Sequence, residues 1–137
     1  MLTVSQKALE DARIQLARIT NIYNRQNEIL NEMNYALEML KNESERFLSQ
    51  GNFDANLIGN YSAYSNKMIQ DIKMQENIIS KTKIDLLKQQ NIVKEAYIKV
   101  KSLENLKDKQ KERYNKEMLL NEIKEIDDIV NSRRISA

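Results

Sequence analysis

The stretch SQGNFDAN, residues 49–56, decides how this chain folds, because turn chemistry there interrupts two long helical patterns. Gly51 suits the left-handed backbone position just after a helix end. Asn52 or Asp54 can cap the start of a second helix, since a short side-chain oxygen accepts from the first free amides. Nowhere else does the chain combine these residues. Gly59 falls inside the first turns of the second helix, where one glycine costs only about 1 kcal/mol.

Upstream of the turn, Leu9, Ala12, Leu16, Ile19, Tyr23, Gln26, Leu30, Met33, Leu37, Leu40, Ser44 and Phe47 recur at alternating spacings of three and four. That rhythm is a heptad seam with two polar interruptions, Gln26 and Ser44. Downstream it resumes through Ile58, Tyr61, Ser65, Met68, Ile72, Gln75, Ile79, Thr82, Leu86, Gln89, Val93, Ala96, Val100 and Leu103. Two heptad helices joined by one short turn fold back on each other. The expected fold is therefore all-α, a two-helix antiparallel coiled-coil hairpin. It should form a single domain over 1–137, with helix 1 at about 3–49, the turn at about 50–54 and helix 2 at about 54–132.

Composition agrees. No proline and only two glycines occur in 137 residues, so very long helices are permitted. Aromatic residues make up 6%, too little for a broad globular core and enough for a narrow seam. Cysteine and histidine are missing, which removes disulfides, the usual zinc sites, and thiol or imidazole catalysis. No phosphate-cradling glycine loop exists, so no cofactor is expected and the chain is not read as an enzyme. A net charge of +2 is too even for a dedicated nucleic-acid binder. No apolar run is long enough for a membrane span, and the opening MLTVSQKALEDAR lacks the apolar core of a signal peptide.

The two arms differ in length. At about 1.5 Å per residue, helix 2 should reach on the order of 115 Å and helix 1 on the order of 70 Å. Folding about Gly51 sets Leu9 level with Ala96, so helix 1 should run out near residue 102. The seam rhythm breaks there as well, at Lys107 and Gln110. Beyond it, Met118, Leu119, Ile123, Ile126 and Val130 form an apolar stripe with no partner in its own hairpin. The stripe packs either on a second copy of the chain or in a groove or channel of another protein. A membrane surface fits less well. From Glu117 to Val130 five acidic residues face one lysine, and membrane-lying helices favour basic polar faces.

Other candidates reduce to structure. The charged run Lys99–Lys116 is interspersed with Glu104, Asp108 and Glu112 and reads as a solvated face. Asp127 and Asp128 point about 100° apart on a helix, so they cannot share one substrate. The segment offers too few oxygen ligands for a cation. The segment NYSAYSNKMIQDI, residues 60–72, holds more. Tyr61 and Met68 belong to the seam, whereas Tyr64 lies off it and should be partly exposed, as an interface tyrosine would be.

A heptad helix, a glycine turn, Asn60-Tyr61 with Tyr64 three residues on, and then a longer helix resemble the FliJ family of flagellar type III export. The C-terminal LENLKDKQKERYNKEMLLNEIKEIDDI, residues 103–129, adds the family's leucine spacing, charged run, tyrosine and paired acids. The resemblance spans nearly the whole chain. It implies a stalk that is cytoplasmic, peripheral to the inner-membrane export apparatus, and not itself inserted in the membrane. The end bearing both termini would enter the central hole of a hexameric FliI-like export ATPase, through Tyr114, Met118, Leu119, Ile123, Ile126 and Val130. A FlhA-like export gate protein would be met by Tyr64, Met68, Asp71 and Gln75, carried over by the NYxxY match. Asp71 stands where the family has a small residue, and Gln75 where some members have histidine. Export chaperones are further implied partners; nucleic acid is not. The alternatives are a dimeric coiled-coil scaffold or tether, and the equivalent stalk of a virulence secretion system.

Overall fold

The computed structural model describes residues 1–51 and 54–136, and among them there are two helices and no strand. Helix α1 runs Leu2–Ser49 and helix α2 runs Ala55–Ser136. They pack against each other as an all-α hairpin, and α2 ends four residues later than the expected 132.

The turn forms as its residues dictate. Gly51 has φ of 80°, and its N–H donates to the Leu48 carbonyl at 3.1 Å. That is one of the two bonds of a Schellman helix end. Asp54 caps α2: its Oδ1 accepts from the Asn56 N–H at 3.0 Å, and its carbonyl accepts from the Ile58 N–H at 3.0 Å. The other expected cap, Asn52, lies outside the described residues.

Contacts divide the chain into two units, Glu10–Val93 and Met1–Leu9 with Lys94–Ala137. In the unit Glu10–Val93, Ala12, Ile72 and Leu86 are buried, and the other expected seam positions are half-buried, except Ile58, which is 38% exposed beside the turn. A two-helix seam has neighbours on one side only, so complete burial is rare. Two cross-helix bonds fix the register. Gln89 Nε2 donates to the Ala12 carbonyl and Gln75 Nε2 to the Gln26 carbonyl, both at 3.0 Å. Ala12 to Gln26 and Gln89 to Gln75 are each two heptads, travelled in opposite directions, as an antiparallel seam requires. Near the turn the rings of Phe47 and Tyr61 meet with centroids 6.3 Å apart.

In the other unit, Ser5, Leu9 and Val100 are buried, while Leu2, Ala96 and Leu103 are half-buried. The three-four rhythm therefore extends back from Leu9 to Ser5 and Leu2. Glu104 is the last half-buried position of α2, two residues beyond the expected limit of 102. From residue 105 to residue 134 every side chain is exposed. The helix past Glu104 thus projects about 48 Å at 1.5 Å per residue.

Candidate functional site

The projecting end of α2 carries the densest exposed apolar surface of the chain. Met118, Leu119, Leu120, Ile123, Ile126, Ile129 and Val130 are all exposed, from 44% at Val130 to 64% at Leu120. Tyr114, at the start of this stretch, is exposed too. Leu120 and Ile129 were not in the expected stripe. Their signal was present, since each lies beside it in sequence, but a strict three-four spacing passes over them.

The orientation of the stripe separates it from the seam. Continuing the seam past Leu103 gives Lys107, Gln110, Tyr114, Glu117, Asn121 and Lys124, which are polar except for Tyr114. Leu119 and Ile123 lie about 160° and 200° around the helix from Leu103, at 100° per residue. Leu119, Ile123, Ile126 and Val130 thus occupy the side of α2 opposite the one that meets α1, whereas Tyr114 and Met118, at about 20° and 60°, stay near the seam side. Extending α1 would not cover those four side chains.

A second surface lies next to the turn. Tyr64 is 63% exposed and borders a cleft of about 280 Å³ with Leu40, Leu57, Asn60 and Tyr61. The three residues carried over with Tyr64 divide between surface and seam. Asp71 is exposed, Met68 is half-buried in the seam, and Gln75 turns its amide inward to the Gln26 carbonyl. Tyr64 and Asp71 therefore form the outward part of that set.

On the opposite flank a larger groove of about 430 Å³ opens between Leu37, Phe47, Leu48, Ile58 and Ile69. Ser44 and Ser65 both line it, and each puts a small side chain at a seam position where a leucine would fill the space.

Among the described residues no group of three His, Cys, Asp or Glu could hold a metal ion. Among the described residues no helix is long and apolar enough to cross a membrane. The distinctive features of the described residues are two exposed apolar surfaces, one on the projecting helix and one by the turn.

The family model described as Flagellar FliJ protein matches residues 1–136 of the chain. No curated protein and no solved structure matches it.

Proposed function

Since the chain belongs to the FliJ family, we propose that it is a non-enzymatic stalk of the flagellar type III protein export apparatus, engaging a ring-shaped export ATPase by its projecting helix. The observation that carries this reading is the apolar stripe from Leu119 to Val130, fully outside the hairpin and turned away from its seam. A helix exposed on all sides with one greasy stripe gains most from a concave, apolar lining. The central hole of a FliI-like hexamer would surround such a helix on every side. Tyr114, Met118, Leu119, Ile123, Ile126 and Val130 are the residues assigned to that contact.

The turn-proximal surface is assigned to a FlhA-like export gate protein, with Tyr64 as its anchor and Met68, Asp71 and Gln75 beside it. Tyrosine offers a large contact area at small entropic cost, and its hydroxyl tolerates a wet rim. Tyr64 and the tail stripe lie on one continuous helix, α2. The stalk acts as a coupling rod if contacts at one of these surfaces bias contacts at the other. Export chaperones are further partners on this reading, and the site of action is cytoplasmic, at the inner-membrane apparatus. Nucleic acid and direct membrane insertion have no part in it.

The test is co-purification with the export ATPase. Ile123→Asp with Ile126→Asp should abolish the complex while leaving far-ultraviolet helicity unchanged, because both side chains are exposed in the free chain. Undiminished co-purification of the double variant would overturn the assignment.

A further inference from the structure

The projecting helix carries its charge in zones. Between residues 105 and 116 stand five bases, Lys107, Lys109, Lys111, Arg113 and Lys116, with two acids, Asp108 and Glu112. From residue 117 to residue 130 stand five acids, Glu117, Glu122, Glu125, Asp127 and Asp128, with one base, Lys124. Arg133 and Arg134 follow in the last turn, where the helix dipole favours bases. All of these side chains are exposed. Among the described residues, neither the five bases of the first zone nor the five acids of the second form an ion pair.

At 100° per residue the bases of the first zone fall on both sides of the helix, and so do the acids of the second. Glu122 and Asp127 flank the apolar stripe, one on each side. A flat surface or a single neighbouring helix meets only one side of either zone. A site that surrounds the helix meets both.

A second tail is a poor occupant of this surface. Antiparallel pairing that sets Ile123 on Ile126 lays the two acidic zones over each other and brings Arg113 near Arg134. Parallel pairing in register also lays acid over acid. Matching bases with acids requires sliding one antiparallel helix by about two heptads, which sets Ile123 against Lys111. In a pair of tails, apolar match and charge match therefore exclude each other.

We infer that the tail is received by a protein cavity with an acidic mouth and a basic interior around an apolar floor. Acidic groups at the mouth meet the zone 105–116, and basic groups further in meet the zone 117–130. The inference rests on the reading of the tail as the part that enters the ATPase ring, and adds the chemistry of the site that receives it. The order of the zones also fixes depth. Withdrawn by one zone, about 18 Å, the tail would hold its acids at the acidic mouth.

The test is the affinity of the full chain for the FliI-like export ATPase at low and at high salt. Glu122→Lys with Asp127→Lys should weaken binding about tenfold at low salt, and Lys111→Glu with Arg113→Glu should do likewise. The isosteric Glu122→Gln with Asp127→Asn should lose less than the reversal. All three losses should shrink at high salt, because exposed charges are screened. These positions lie beyond the seam, so an unchanged thermal unfolding midpoint checks that each variant has folded. Ile123→Asp with Ile126→Asp is the reference. If it abolishes binding while both reversals bind like the parent chain, the ATPase reading stands and the charge assignment is overturned. If it binds like the parent chain, both are overturned. Tighter binding by either reversal would also overturn the assignment. So would a salt-sensitive dimer of the free chain, which gives the tail to a second copy. Retention on anionic phospholipid vesicles that Lys111→Glu with Arg113→Glu abolishes would give the basic zone to a membrane surface instead, and would overturn it too.

Discussion

Gln75 donates from Nε2 to the main-chain carbonyl of Gln26 at 3.0 Å, across the seam, while Oε1 of Gln26 itself is buried without a partner. Two polar residues therefore share one layer of the seam but do not satisfy each other. A helical carbonyl has a second lone pair, and Gln75 uses it. Gln89 repeats the arrangement on the Ala12 carbonyl.

Gln26→Leu should stabilise the chain by about 1–2 kcal/mol, because a buried unpaired oxygen is removed and apolar surface is added. The bond from Gln75 survives, since it goes to the main chain. Urea unfolding followed by circular dichroism measures the change. A lower midpoint for the variant would mean that the Gln26 amide contributes through a partner of its own.

The two glycines should respond to alanine with opposite signs. Gly51 has φ of 80°, where a side chain is strained whatever the space, so Gly51→Ala should cost about 1–2 kcal/mol. Gly59 is helical, and a Cβ there would meet nothing within 4 Å. Gly59→Ala should add about 0.5–1 kcal/mol. Equal shifts of the unfolding midpoint in the two variants would contradict this.

Amide hydrogen exchange should divide α2 at about residue 105. Isolated helices of this length are weakly stabilised, and side chains from residue 105 to residue 134 are exposed, so these amides should exchange fast. Amides around Leu37 and Met68 should exchange slowly, held by the seam. Uniform protection along α2 would show that the tail is covered in solution, and its loss on dilution would point to a second copy as the cover.

Tyr64→Ala should weaken binding to the export gate protein without changing co-purification with the ATPase. Tyr64 is exposed, so its removal leaves the seam intact. Equal loss of both partners would mean that the two surfaces are not separate.

Much of this was legible in the sequence, because the heptad rhythm is local. The seam from Leu9 to Leu103, the turn at Gly51 and the cap at Asp54 all follow from residue spacing and single-residue backbone preference. So does the unmatched length of α2, given one turn and two arms. Leu2 and Ser5 continued the same rhythm and could have been read with it. Leu120 and Ile129 were missed because a three-four template registers only one narrow stripe.

What the sequence could not supply was the outcome of facing two helices. The heptad spacing puts Gln75 in the seam, whereas the family resemblance sets it beside Tyr64 on a binding surface; neither says that its amide bonds the Gln26 carbonyl on the opposite helix. Which polar side chain finds an acceptor depends on the axial register of the opposite helix. The openings beside the turn likewise depend on Ser44 and Ser65 lining the same groove from opposite arms. Spacing along one chain fixes which side a residue takes, but only the packed pair decides what it meets there.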